Sequence, residues 1–432
     1  MNDTRSPATT ALINAGAVLR AGRRPEVVAA LCVGLLVFLL HHLTRFSLST
    51  VWPLVPRGDA WIIYDTSRLV FSASDYQARL ALGNMDAVFP YSPSAVILFR
   101  GLTVAGPALF MATWLLMMVA GLLASIRASV AQEERNELVA NWLLIGAIAL
   151  VVASPPVTWD FRNVNSNLIY LGVVLTGYAL MSRRPLLAGT LVALSISLKL
   201  YSGLLMLWLL LNGPRRAFYS CVAASVVLWI VLPIAFFGIE GAVRIYWGWY
   251  EQIRIVGDPW VYTQYPGREG PPLITLRKAV MYLTGAAADA TKTQIYVLML
   301  LSLWSAALAW YAWRAGRAGR IGIPSRAALS DWTVLLLAPL PFSPWLEPYH
   351  AIPLLPGAIL CVIIALDERV AAKDRIIASA ALLALALMAL FSTFQLRGLR
   401  LLAQLLALTI TLGLLRPRLP NGTSIAPANS AA

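Results

Sequence analysis

The residues in this chain best suited to chemistry are a few polar groups set among long apolar runs. Asp59 lies in a polar stretch, Val51 to Pro93, just past Pro56 and Gly58. A single carboxylate at a membrane surface can act as general base toward an acceptor hydroxyl; it can also be a solvated loop acid. Asp65 stands near enough to be its rival or its partner, and a second carboxylate would raise the pKa of the first. Lys199 interrupts the apolar run LVALSISLKLYSGLLMLWLLL. A charge there costs roughly 2.5–3.5 kcal/mol on insertion scales. It is therefore expected to face a partner or an anionic ligand, a lipid phosphate above all, unless the side chain snorkels to the surface. The stretch WDFRNVN, Trp159 to Asn165, puts Asp160, Arg162, Asn163 and Asn165 at the start of a span. Polar groups at membrane depth tend to be functional; the alternative is a helix cap with an Asp–Arg pair. His350, with Glu347 close by in SPWLEPYH, is the histidine outside the first span; His41 and His42 lie within it. None of the three has the neighbours of a metal site.

The composition says what must position these groups. The chain of 432 residues is 59% hydrophobic and 12% charged, where soluble domains run near 25% charged. That points to an all-α polytopic membrane protein. The net charge of +14 does not imply nucleic-acid binding. The Lys and Arg residues sit in short runs between apolar spans, as the positive-inside rule expects, and not on one soluble face among aromatics. Cys32, Cys221 and Cys361 fall inside apolar runs without metal or redox spacing. The sequence has no Walker loop, Gly-rich nucleotide fingerprint, Ser-nucleophile elbow or HExxH. An enzyme built this way needs a donor that is already activated, which lipid-phosphate sugars supply.

The elements follow from hydropathy and charge. Residues 1–25, with Arg5, Arg20, Arg23 and Arg24, form a cytoplasmic tail, and Glu26–Phe46 is a retained first span. A first external loop, 47–106, carries Asp59, an interfacial helix near Tyr76–Met85 and an apolar piece at Ser94–Val104 too short for an ordinary span. Spans follow at Pro107–Ile126, Leu138–Ser154 and Leu168–Met181. Leu186–Leu210 has basic pairs at both ends, Arg183 and Arg184 before it, Arg215 and Arg216 after it. One crossing would violate the charge rule, so the stretch is read as a short hairpin with Lys199 at its apex. Phe218–Phe237 leads to a second external loop, 238–292. Its Trp247, Trp249 and Trp260 suit a sugar-stacking surface or an aromatic belt. Five more spans end in a polar tail, 416–432, giving about twelve in one transmembrane domain, 26–415. This topology puts Asp59, Asp160, Asn163, Asn165, Lys199, Arg277, Glu347 and His350 on the external side.

The order of these features resembles the polyprenol-phosphate-sugar-dependent transferases of the C-type glycosyltransferase superfamily, most closely glycosyltransferase family 87. The family's Asp ahead of a Tyr matches Asp59 and Tyr64. Its YPP matches Tyr91-Ser92-Pro93, its GQ-x-N matches Arg162-Asn163-Val164-Asn165, and its K-x-x-P matches Lys199-Leu200-Tyr201-Ser202. Its late SP-x-x-W and His match Ser343-Pro344-Trp345 and His350. Ser92, Arg162, Asn163 and Ser202 depart from the pattern, and Trp345 follows Pro344 without the two-residue gap. The resemblance implies the C-type fold, with short interfacial helices on its external loops, in a multi-pass protein of the cell inner membrane. It implies transfer of a hexose, mannose by analogy, from a polyprenyl-phosphate donor to a lipid or glycan hydroxyl, by inversion. Asp59 would be the base. Lys199 and Arg277 would hold the departing phosphate, and His350 would assist there or orient the sugar. Asn163 and Asn165 would hold sugar hydroxyls, with Tyr64, Asp65, Glu347 and Asp160 in the substrate site. No cofactor, metal or nucleic acid enters. The competing reading is a transporter or flippase of a lipid-linked glycan, for which polar residues should spread along a path through the bilayer.

Overall fold

The computed structural model describes residues 58–69, 91–130, 151, 154–256, 299–300, 302–308, 310–311, 325–342, 348–367, 369–390 and 397–416. The first span, the interfacial helix near Tyr76–Met85, nearly all of Leu138–Ser154, the second loop beyond Val256, the N-terminal tail and the C-terminal tail after Arg416 lie outside them. The described residues are all-helical, without strands. Among the described residues, two helices are long and apolar enough to cross a membrane, Pro107–Val130 and Arg215–Glu251, and five shorter apolar helices accompany them.

Helix α1, Gly58–Leu69, buries Ala60, Ile63, Tyr64 and Ser67. That is the i, i+3, i+4, i+7 stripe of an amphipathic helix. It packs on α2, Pro93–Thr103, the short piece expected near Ser94–Val104. With 11 residues α2 is only about 16 Å long. Its start shows why Ser92 can stand where the family has proline. The Ser92 side chain caps the helix by accepting from the Ala95 N–H at 3.3 Å and donates to the Ser197 carbonyl at 2.7 Å. Pro93 fills the first helical position, where a missing N–H costs nothing.

Helix α3, Pro107–Val130, crosses α5, Asn167–Leu180, backbone to backbone at Gly121 and Gly172. A Cβ on Gly121 would overlap the Leu168 carbonyl. Small residues at such crossings are how helices approach closely in a membrane. The short α4, Pro155–Asn163, precedes α5 in the chain.

Helix α6, Pro185–Leu198, ends at Lys199, whose backbone is extended (φ −145°, ψ 108°). A 3-10 turn, Leu200–Gly203, and α7, Leu204–Leu211, follow. The chain has turned back by Trp208. That ring meets Trp332 at 5.7 Å between centroids, and Trp332 meets Tyr178, near the Arg183 end of α5, at 5.4 Å. The hairpin with Lys199 at its apex is therefore present. Ser202, in place of a proline, helps shape the apex. Its hydroxyl donates to the Lys199 carbonyl at 2.7 Å and accepts from Ser195 at 3.2 Å.

Helix α8, Arg215–Val226, runs parallel to α6. Ser220 donates to the Leu186 carbonyl at 2.6 Å near the basic pairs. At the other end α2 joins the two, with Ser92 on Ser197 and Ser94 on the Leu228 carbonyl. A π-helical stretch, Val227–Val231, leads into α9, Leu232–Val256, which breaks at Gly238 (φ +72°). After the break Tyr246 donates back to the Trp229 carbonyl at 2.5 Å. The fold-back leaves a cleft of about 630 Å³ lined by Trp229, Ile234, Ile239, Tyr246 and Trp247, with Arg244 on its wall.

The remaining helices are α10, Arg326–Leu337; α11, Leu354–Leu366; α12, Ala372–Leu390; and α13, Arg397–Leu415. Charges tie α10 to the ends of α11 and α13. Asp331 of α10, fully buried, accepts from Trp208 at 3.1 Å, Tyr311 at 2.6 Å and Arg416 at 3.1 Å. Arg416→Met strands that carboxylate among neutral donors. Removing one partner of a buried pair costs about 3–5 kcal/mol, so the detergent-solubilised variant is expected to melt well below wild type. Nearby, Arg326 pairs with Asp367 at 2.7 Å, and Arg369 with the same carboxylate at 2.9 Å. Burial pushes the Asp367 carboxyl up, but the hydrogen bonds from Arg369 and Arg326 outweigh it and hold it at about 2. A depressed carboxylate adds stability above its unfolded pKa of about 4 and loses it as pH falls toward its folded value. The melting temperature of wild type is expected to fall between about pH 4 and pH 2 more steeply than that of Asp367→Asn.

Candidate active site

Of the polar groups singled out in the sequence, Asp59, Asp160, Asn165, Lys199 and His350 gather at the Lys199 end of the bundle, away from the exposed Arg183, Arg184, Arg215 and Arg216. Asp59 sits in the first turn of α1, where a carboxylate is favoured by the helix dipole. Beneath it lies an aromatic wall. Tyr64 meets Phe110 at 5.1 Å, Phe110 stacks on Trp114 at 5.4 Å, and Trp114 meets Phe99 at 5.2 Å. Tyr64, 5% exposed, is part of this wall. Asp65 lies six residues further along α1, about 120° around the helix from Asp59.

The turn between α4 and α5 supplies the partners. Val164 takes a left-handed conformation (φ 50°, ψ 45°), unusual for a β-branched residue and the kind of local strain that collects at functional sites. Two bonds hold it. Trp114 donates to its carbonyl at 3.1 Å, and the Asn165 N–H reaches back to the Asp160 carbonyl at 2.9 Å. The reversal folds Asn165 and Asn167 over the Asp160 side chain. Asn165 then donates through its amide to Asp59 Oδ2. Asp160 is fully buried and caps α5, accepting from the Leu168 N–H at 3.0 Å and from Asn167 Nδ2 at 2.9 Å.

The helix-cap alternative for WDFRNVN is thus half realised: Asp160 caps a helix, but Arg162 lies over the Trp159 ring at 5.1 Å. Asn163 bonds back to the Trp159 carbonyl at 3.0 Å, outside the Asp160–Asn167–Asn165 chain. The Asp160 carboxyl stands raised at about 7, burial being the largest cause. Its hydrogen bonds from Asn167 and Leu168 and the nearby Lys199 pull it down, and Asp59 pushes it up.

Lys199 reaches this cluster from the hairpin apex. Its ammonium lies 4.9 Å from the centre of the Tyr91 ring, within cation–π range. It interacts electrostatically with both Asp59 and Asp160. Tyr91 in turn hydrogen-bonds Ser166 at 2.7 Å. His350, in the 3-10 turn Pro348–Ala351, packs beside α4. Burial and the Lys199 charge push its imidazole well below the usual range, which favours the neutral form. The site brings together a carboxylate, a lysine ammonium and an imidazole from distant parts of the chain. Such a set can take a proton from a hydroxyl and stabilise a leaving anion.

Arg277, Glu347 and Ser343-Pro344-Trp345 lie outside the described residues. Asn167 and Ser166 were not picked out as site residues. The signal was present, for the run NVNSN directly before an apolar span marks a helix start where polar side chains face orphan N–H groups.

The family model for glycosyltransferase family 87 matches residues 89–339. The match covers the α2 cap, the Asp160–Asn167 turn and the Lys199 hairpin; Asp59 and His350 fall outside it. No curated protein and no solved structure matches the chain. The chain belongs to glycosyltransferase family 87, which makes it a membrane glycosyltransferase with a donor and an acceptor substrate.

Proposed function

From that membership we propose that the protein transfers a hexose, mannose by the family resemblance, from a polyprenyl-phosphate donor to a lipid or glycan hydroxyl. The observation that carries this reading is the meeting of Asp59 and Lys199 at one end of the bundle. A base for an incoming hydroxyl and a cation for a departing phosphate are what one displacement needs. Asp59 takes the proton of the acceptor hydroxyl as its oxygen attacks the anomeric carbon. The bond from that carbon to the phosphate oxygen breaks, and the phosphate leaves with the electron pair. Attack opposite the leaving group inverts the anomeric centre. Lys199 stabilises the growing phosphate charge, with Arg277 as a second cation. His350, neutral, orients a sugar hydroxyl or donates to the phosphate, and Glu347, Asn163 and Asp65 line the sugar and acceptor side. The apolar cleft at the Gly238 break suits the isoprenoid chain. One cleft wall, Trp229, adjoins Leu228, whose carbonyl binds Ser94 next to the Tyr91–Lys199 contact.

The full chain in this reading crosses the inner membrane about twelve times. The basic pairs lie in the cytoplasm and the site on the opposite face. The test uses purified protein in proteoliposomes with radiolabelled polyprenyl-phosphate mannose and a membrane lipid extract. Label in a new glycolipid supports the transferase. Intact donor moved across the bilayer without a new product supports the flippase instead.

A further inference from the structure

The hydrogen-bond polarity behind Asp59 can be followed atom by atom. Asp160 is fully buried, and each of its oxygens accepts an N–H: Oδ2 from Leu168 at 3.0 Å, Oδ1 from Asn167 at 2.9 Å. Asn167 is also fully buried, and its amide nitrogen gives a second hydrogen to Asn165 Oδ1 at 2.8 Å. Asn165 Oδ1 accepts from the Ser166 N–H as well, at 2.6 Å. With its oxygen held by two donors, Asn165 has only its N–H₂ to turn toward Asp59, a carboxylate that can only accept when ionised. The direction is therefore fixed along the whole chain, from Asp160 through Asn167 and Asn165 to Asp59.

Asn167 Oδ1 has no hydrogen-bond partner among the described residues. Leaving a buried amide oxygen unmet is costly. Turning the amide to meet it would set that oxygen against the Asp160 carboxylate and break the link to Asn165. The fold keeps the unmet oxygen and keeps the link.

We infer that Asn167 is a positioning residue, which, tied to Asp160, turns the Asn165 amide so that its N–H faces Asp59 and holds the base in one orientation. This deepens the transferase reading and rests on it for the meaning of Asp59 as base, but its geometry can be tested without any substrate. Asn167 is buried behind Asn165 and need not touch donor or acceptor.

A hydrogen bond to the charged form of a carboxylate lowers its pKa, so loosening Asn165 raises that of Asp59. The probe is dicyclohexylcarbodiimide, which labels protonated carboxyls in apolar surroundings. Labelling of the Asp59 peptide is followed by mass spectrometry against pH. Charged and titratable groups that face Asp59 among the described residues include Lys199, Asp160 and Tyr91; all remain in the variants. Asn165→Leu is expected to move the Asp59 midpoint up by about one pH unit. Asn167→Leu should move it by a similar amount, and the double variant no further than Asn165→Leu alone. If Asn167→Leu gives no folded protein, Asn167→Ala adds no bulk and should show the same shift. An Asn167 variant with the wild-type midpoint while Asn165→Leu shifts, or two shifts that add in the double variant, overturns the inference.

The transfer assay gives a separate reading. There Asn167→Leu lowers kcat about 10- to 100-fold with KM for polyprenyl-phosphate mannose unchanged, as loss of base orientation requires. A raised KM with unchanged kcat contradicts a positioning role. Absence of transfer by wild type, with the labelling shifts intact, would count against the transferase reading and leave the relay standing.

Discussion

Asp59→Asn is expected to reduce transfer from polyprenyl-phosphate mannose by about 10²–10⁴-fold, the usual contribution of a positioned general base. The change is nearly isosteric and keeps the first turn of α1, so the variant should elute and melt like wild type. The Asn165 amide loses the carboxylate it donates to, but an asparagine oxygen can take its place. The loss should therefore fall on kcat and leave KM for the donor close to wild type. The same variant of Asp65, about 120° around the helix, should retain activity within a few-fold. Equal losses at the two positions would remove the distinction between them.

Lys199→Met is expected to lower kcat by about 10²–10³-fold, the scale seen when one stabilising group for a developing anion is lost. It carries a second signature. Lys199 pulls the Asp160 carboxyl down, against the burial that raises it. Removing the cation therefore raises that carboxyl further, and Asp59, which feels the same charge, rises too. The ionised base is then present only at higher pH, so the acid limb of the rate profile moves up. Lys199→Arg keeps the charge and should leave the limb near its wild-type position. A lysine that only fills space at the hairpin apex would produce no such movement.

Much of this site was legible because it violates its surroundings. Lys199 is a charge inside an apolar run, and two basic pairs flanking one short stretch forced the hairpin that puts it at an apex. Both readings rest on the high cost of charge in a membrane, which composition alone exposes. Asp59 was legible as a carboxylate beside a span, but its pairing with Asn165 was not. That contact depends on a left-handed Val164 that no propensity would assign to a β-branched residue. Tyr64 illustrates the opposite case. Its place in the family pattern made it a site candidate, and the structure shows it buried in the aromatic wall that supports α1. Asn167 carried a helix-start signal and nothing that distinguished a cap from a relay. The Asp331–Arg416 pair joins residues of α10 and the end of α13; nothing local in either segment announces the other. The departures at Ser92 and Ser202 looked like weakened motifs, yet each hydroxyl makes bonds no proline could make.

The central claim is a single displacement with Asp59 on one side of the anomeric carbon and Lys199 at the phosphate on the other. The anomeric configuration of the product tests it most directly. Purified wild type is given polyprenyl-phosphate mannose of defined configuration and a membrane lipid acceptor, and the isolated glycolipid is read by the one-bond C–H coupling at the anomeric position. One product with the configuration opposite to that of the donor is expected. A product that retains the donor configuration would contradict it.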